Sequence, residues 1–278
     1  MNTPKGIKLS LSATALKQLI RSPQHFIQYR LEGSADTEAL AFGSAWHTWI
    51  LQRELFFTKY RILDESKRPF PDKNYQTKAN KEWKLQFFEQ CTKDKITALT
   101  KADWETIQQM ADAMMATTEA AELITATRSK FEQNVKWKKR GVEFNGFIDI
   151  ENEHFLADLK SCVNADPKVF ARDIFKFRYD LQGACYSDAV SKGARSFGKH
   201  LPFYIIAQEK TAPFAVSVHL LGNEVLDAAY EEMINAVDIF KQCIKDDHWP
   251  GYAIKAPAMI NGVVNDEGVF PVTRPPWI

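Results

Sequence analysis

Residues Val142 to Ser161 read VEFNGFIDIENEHFLADLKS, and this stretch decides the fold. Its apolar period is two: Val142, Phe144, Ile148 and Ile150 alternate with polar or small partners, the pattern of a strand. Glu151-Asn152-Glu153 turns the chain, and a second strand follows from His154 to Ser161. Side chains two apart on a strand share a face, so Asp158 and Lys160 project together. A tight turn would bring Asp149, at the end of the first strand, beside Asp158. Two carboxylates held together at the edge of an apolar core repel unless a cation lies between them. Oxygen ligands suit a hard ion such as Mg²⁺ or Mn²⁺. A lysine beside that ion can hold, and help deprotonate, an attacking water. Taken alone, Asp-x-Lys is a common tripeptide and reads first as a surface ion pair.

Working outward, Phe131 to Lys138 is a further strand, closed by a Lys139-Arg140-Gly141 turn. Before it the chain is helical. Ser10 and Ser12 precede an amphipathic stretch with Leu16, Leu19 and Ile20, and Ser22-Pro23 reads as an N-cap with proline at the first helical position. A third helix is predicted over about Glu38 to Arg53, with Gly43 and His47 on one face and Gly43 allowing close packing. From Arg61 to Lys84, prolines break the pattern and cations accumulate, which predicts a mobile basic loop running into a helix at Trp83, Phe87 and Phe88. Thr100 caps a long helix. Downstream, Asp166-Pro167 opens a helix, and another runs from about Arg178 to Ser191, stopping at Gly193 and carrying Gln182 and Tyr186 on one face. Two more strands, Pro202 to Ala207 and Phe214 to Leu220, lead to a long helix capped by Asn223, and the Gly- and Pro-rich tail after Trp249 is expected to drape irregularly over the surface. The expectation is one α/β domain over residues 1–278. Residues 1–128 form a mainly helical part including the basic loop 61–84, 129–246 the core, and 247–278 the tail.

Composition excludes several classes. Lys and Arg total 36 against 35 Asp and Glu, a net charge of +1, so binding nucleic acid by bulk positive charge is ruled out and any basic footprint is local. No apolar run approaches the ~18 residues of a membrane span. Met1 to Lys8 lack an apolar signal segment, which predicts a cytoplasmic protein. The four cysteines, Cys91, Cys162, Cys185 and Cys243, are widely spread without a CxxC, and read as reduced core thiols.

The ordered set Gly43-x-x-x-His47, a strand with Glu132 and Trp137, Arg140-Gly141, Gly146-x-Ile148-Asp149, Asp158-x-Lys160 and Gln182-x-x-x-Tyr186 resembles the PD-(D/E)xK nuclease superfamily, in its RecB-like branch. It is most similar to the C-terminal nuclease domain of RecE, exodeoxyribonuclease VIII, of phages and prophages. The opening Leu11-Ser12-Ala13-Thr14-Ala15-Leu16-Lys17 and Ser22-Pro23-Gln24-His25-Phe26 resemble that family's N-terminal signature. The resemblance implies a restriction-endonuclease-like core, with a central mixed sheet flanked by helices and a helical N-terminal region. It implies Asp149, Asp158, the Leu159 carbonyl and His47 as ligands of Mg²⁺, or Mn²⁺ in its place, with Glu132 as a further carboxylate. Lys160 would position the water, and Gln182 and Tyr186 would organise the site. A helix end or an arginine of the basic loop, Arg68, would hold a terminal phosphate. By charge alone, the Arg61–Lys84 segment and Lys136, Lys138, Lys139 and Arg140 are the local cations available to guide DNA. Some relatives carry an iron–sulfur cluster, but here Ser22 stands where they have cysteine and no cysteine follows Cys243, so none is expected.

The activity implied is exonuclease digestion of linear double-stranded DNA from the 5′ end, leaving 3′ single-stranded tails for a strand-annealing partner. The resemblance also implies a closed ring of three or four copies, which suits a neutral protein because enclosure holds DNA without a high net charge, with Trp46, Trp49, Trp83 and Phe88 available either for subunit contacts or for the core. Three other readings remain: a structure-specific or restriction-like endonuclease on the same core, an inactive DNA-binding module, and a small-molecule metallohydrolase using His47 and His154. Linear against circular duplex separates the first. Two crowded carboxylates argue against the second, and the lack of any HExxH-like spacing against the third.

Overall fold

Local chemistry sets the helix starts in the computed structural model, which describes residues 2–252 except 5, 8, 34–36, 72, 74 and 192–200. The Ser12 hydroxyl accepts from Ala15 N–H to open α1 (Ala13–Arg21), and Ser22 does the same for α2 (Pro23–Glu32), with Pro23 in the first turn. Thr37 caps α3 (Glu38–Leu51). Each such cap is worth about 1 kcal/mol. A short α4 (Phe56–Lys59) runs into β1 (Tyr60–Ile62). Beyond a turn-rich stretch come α5 (Lys78–Lys93), β2 (Thr97–Leu99), α6 (Lys101–Ala116) with a full Thr100–Asp103 capping box, and α7 (Thr118–Thr125). The second half holds β3 (Lys130–Lys139), β4 (Val142–Glu151), β5 (Leu156–Cys162), α8 (Pro167–Lys176), α9 (Tyr179–Val190), β6 (Phe203–Glu209), β7 (Val216–Leu221) and α10 (Asn223–Asp246).

β3 to β7 lie in sequence order in one mixed sheet, antiparallel except for the parallel β5–β6 pair. A hydrophobic core covers each face. The first brings α1, α2, α9 and α10 against Phe144, Ile148, Leu156 and Ile205. The second brings α3, α4, α6 and α7 against Ile150, Ala157, Leu159 and Ile206. Full burial of each Leu, Ile or Phe among them contributes about 1.5–3 kcal/mol.

β3 and β4 change faces at one register. Val135 and Trp137 belong to the first core but Phe131 to the second; Phe144 and Ile148 belong to the first but Ile150 to the second. The pairs Phe131–Ile150 and Gln133–Ile148 place Glu132 opposite Asp149 at the switch. There Glu132 takes a left-handed φ of 51°, which breaks the strict alternation of the strand. The β4–β5 ladder is also short, with only Ile150–Ala157 and Glu151–Leu156 paired. One step further that register sets Asp149 opposite Asp158. The strands part there, and Leu159 N–H donates to Asp149 Oδ2 at 2.8 Å instead of to a neighbouring strand. The sheet thus opens where both cores meet.

Several expectations change. The Arg61–Lys84 stretch is not one loop: it starts in β1, which pairs in parallel with β2, and ends in α5. Trp46 and Trp49 lie in the second core, so neither is free for a subunit contact; Trp83 and Phe88 are half-buried on α5. A Cβ on Gly43 would meet nothing closer than Ser161 Oγ at 4.0 Å, so close packing is not its task. Gly222, not Asn223, occupies the cap position of α10. The expected stop at Gly193 and the tail from residue 253 lie outside the described residues. No helix among the described residues is long and apolar enough to cross a membrane.

Candidate active site

α3 carries His47 to the opening in the sheet. The helix is fixed in rotation by Trp46, whose indole N–H donates to buried Gln208 on β6 at 2.9 Å. His47 Nε2 stands 3.0 Å from the carbonyl oxygen of Leu159. Its Nδ1 lies 3.5 Å from Asp149 Oδ2 and 3.6 Å from Glu132 Oε1. The ligand atoms of His47, Glu132 and Asp149 all lie within 4.8 Å of one another. Burial pulls the His47 imidazolium toward losing its proton, but Asp149 and Glu132 outweigh it and the net shift is upward. Burial pushes the Asp149 carboxyl up, and the charge of Asp158 adds to that.

Asp158 is just outside this trio. Its Oδ1 accepts from Gln182 Nε2 at 2.7 Å, and its Oδ2 faces the Lys160 ammonium. Gln182 Nε2 also donates to Tyr186 Oη at 3.1 Å. Burial keeps the Tyr186 phenol protonated, its shift being strongly upward. For Lys160, burial opposes the charge, but Asp158 and Asp149 outweigh it and its pKa rises. Without an ion in the site, Lys160 is therefore held as an ammonium, a hydrogen-bond donor and a fixed positive charge.

The sequence-predicted residues His47, Glu132, Asp149, Asp158, Leu159, Lys160, Gln182 and Tyr186 thus converge from α3, β3, β4, β5 and α9. They suit a hard divalent ion: carboxylate oxygens, one imidazole nitrogen and a main-chain carbonyl are its usual donors. The ligand atoms of three of them already lie within 4.8 Å of one another, and the buried Asp158 Oδ2 is met by the Lys160 ammonium alone among the described residues.

Two members of the site were missed. Lys17 on α1 holds its ammonium 5.3 Å from the Tyr179 ring centre, and Lys160 holds its own 5.0 Å from the same ring. Burial lowers the Lys17 pKa to about 8, the Lys160 charge adding to the fall. Among the described residues no carboxylate lies within 4.0 Å of Lys17. Nothing in the α1 pattern signals this, because the neighbours come from more than a hundred residues away.

The expected DNA contacts fare differently. Lys138 pairs with Glu143 at 3.6 Å and Arg140 with Asp238. Lys139 is nearly buried, 2.9 Å from Asp188, which also accepts from the Trp137 indole. Arg68 pairs with Glu65 at 3.5 Å, donates to the Pro71 carbonyl and lies over Tyr75. All four cations are held by local partners. His154 is exposed beside Glu153 and outside the His47 cluster, which leaves the two-histidine hydrolase reading without a site.

Gly146 gives this arrangement a test. A Cβ there would stand 3.0 Å from Tyr186 Cε1. Gly146→Ala is expected to cost about 1–3 kcal/mol by overpacking. It should also lower cleavage by displacing the ring that supports Gln182. Thermal melting and cleavage rates read the two effects, and an unchanged rate would detach Tyr186 from the site.

Comparison with solved structures finds a "Putative exonuclease" from Eubacterium rectale that overlays with a TM-score of 0.59 at 13% identity, covering 95% of this chain and 91% of that one. At that identity the likeness speaks for the fold alone. The structure of SSO0001 overlays with a TM-score of only 0.27 at 12% identity, over 69% of this chain and 85% of that one, too little to bear on the fold. No curated protein matches the chain. The family described as PDDEXK-like domain of unknown function (DUF3799) matches residues 12–261, nearly the whole described chain and every site residue above. With its mixed sheet, flanking helices and Asp149…Asp158-x-Lys160 site, the chain belongs to that PDDEXK-like family.

Proposed function

We propose that the chain is a divalent-metal-dependent exonuclease of RecE-like type that digests linear double-stranded DNA from its 5′ ends. The observation that carries this reading is the opening between β4 and β5, where Glu132, Asp149 and Asp158 meet His47 and the Leu159 carbonyl with Lys160 alongside. His47, Asp149, Asp158 and the Leu159 carbonyl, with Glu132 as a further carboxylate, would hold Mg²⁺, or Mn²⁺ as substitute. When bound, the ion supplies Lewis acidity and a more acidic water. The chain supplies the rest. Lys160 donates toward the attacking oxygen and the phosphate, and Gln182 keeps Asp158 in one rotamer with Tyr186 behind it. Lys17 adds a second cation beside the phosphate. Water adds across the P–O bond, leaving a phosphate on one fragment and a hydroxyl on the other.

The product is a 3′ single-stranded tail, the substrate of a strand-annealing partner in cytoplasmic recombination. Because Lys138, Lys139 and Arg140 each stand against an acid, a monomer at net charge +1 has little hold on a duplex, and a ring of three or four copies supplies it. Duplexes labelled at either end, linear or covalently closed, test the reading. Linear DNA should shorten from the 5′ end with Mg²⁺, closed circles should survive, and EDTA should stop digestion. Cut circles would turn the reading to an endonuclease. Light scattering should give three or four times 31.8 kDa; a monomer mass would remove the ring.

A further inference from the structure

The loop after Asp158-x-Lys160 leads directly into α8, and this helix presents an unused surface. Lys168, Arg172 and Lys176 recur every four residues and form one stripe about 12 Å long. All three are exposed, on the side opposite the buried Phe170 and Ile174. Among the described residues none of the three has a carboxylate within 4.0 Å, whereas Lys138, Lys139 and Arg140 each do. Asp166 is engaged in capping the helix. Two large aromatic side chains accompany the stripe: Phe175 is 54% exposed and Phe177 46%.

The surface is continuous with the active site. Lys176 Nζ lies 5.0 Å from the Phe177 ring centre. Phe177 and Tyr179 have ring centres 5.9 Å apart, and Lys160 Nζ is 5.0 Å from Tyr179. Cation, aromatic, aromatic, cation therefore follow one another from the end of α8 to the lysine of the site. Exposed cations in a row match phosphates, and exposed aromatic faces match unpaired bases, the combination by which proteins track single-stranded nucleic acid.

We infer that α8 is the track for an unpaired stretch of the DNA strand that enters the active site, with Lys168, Arg172 and Lys176 on its phosphates and Phe177 stacking a base. The inference rests on the nuclease reading and assigns its substrate path. It places the DNA grip on α8 rather than on the β3–β4 hairpin.

Fluorescence anisotropy in EDTA, with a labelled duplex bearing a single-stranded extension, tests it without cleavage. For K168Q/R172Q/K176Q the slope of log affinity against log salt should fall by about 2, from roughly 0.7 per phosphate contact on a single strand. K138Q/R140Q should leave the slope unchanged. Phe177→Ala should weaken binding of the extended duplex about tenfold and leave a blunt duplex unaffected. Circular dichroism confirms that the variants fold; these positions are exposed. An unchanged slope in the triple variant, or an equal loss in K138Q/R140Q, overturns the track even if the wild type cuts DNA. A wild type that neither binds nor cuts DNA removes the nuclease reading, and the track with it.

Discussion

Asp149→Asn is expected to lower cleavage of linear duplex DNA by about 10³-fold or more while raising the melting temperature of the metal-free protein. The first effect follows from the loss of a negative donor: several kcal/mol of transition-state stabilisation at 1.36 kcal/mol per tenfold. The second follows from crowding. Asp149 is buried, sits opposite Glu132 across one strand pair, and feels the charge of Asp158. Asparagine has the same size, and its carbonyl oxygen can still accept from Leu159 N–H, so the parting of β4 and β5 survives. The pH dependence has a definite sign. The folded-state pKa of Asp149 lies above its ordinary 3.8. Its contribution to stability is present in full below 3.8 and is lost as the pH rises from there into the neutral range. The variant escapes that loss, so its advantage in melting temperature in EDTA should grow from pH 4 toward neutrality. Added Mg²⁺ should then raise the melting temperature of the wild type more than that of the variant. Cleavage within tenfold of wild type, or a lower melting temperature in EDTA, would contradict this role for Asp149.

The strands bearing Asp149, Asp158 and Lys160 are legible because the first has an apolar period of two and a short turn leads to a second apolar run. The sheet opening is not, because it depends on a side chain replacing a ladder bond: Asp149 takes the Leu159 N–H only after the strands have parted. The left-handed Glu132 is likewise invisible in a sequence where any strand residue reads alike. Helix starts at Ser12, Ser22, Thr100 and Asp166 follow from local capping, and the sequence carries all the groups involved. β1 and β2 are three residues each and pair across more than thirty, too short for any period to register. Charges are the hardest to read. Lys139 and Arg140 look available in a basic turn, yet their acids, Asp188 and Asp238, arrive from α9 and α10. Lys168, Arg172 and Lys176 are equally spaced in the sequence, and only the fold shows that no acid among the described residues comes within 4.0 Å of them.

Lys160→Met should likewise cripple cleavage, by about 10²–10⁴-fold, but with the opposite effect on stability. Asp158 is only 1% exposed, and Lys160 is the cation at its Oδ2. Removing one partner of a buried ion pair leaves an uncompensated charge, at a cost of about 3–5 kcal/mol. The Lys160 pKa is raised above its ordinary 10.5, so its contribution is complete throughout the neutral range and is lost only in strong alkali. The fall in melting temperature in EDTA should therefore persist from pH 6 to 9 and shrink toward acid, where Asp149, whose pKa the Lys160 charge holds down, takes up its proton. Asp158→Asn added to Lys160→Met should restore most of the stability, since the orphaned charge goes with it, and none of the activity. Lys160→Arg separates the two roles further. A guanidinium can neutralise Asp158, so stability should largely return. Its planar fork does not place one donor at the attacking oxygen as an ammonium does, so cleavage should stay at least tenfold down. If Lys160→Met melts like wild type, the ion pair contributes nothing to the fold. If it cleaves within tenfold of wild type, Lys160 does not position the water, and the Lys17 ammonium beside the same Tyr179 ring becomes the cation that does.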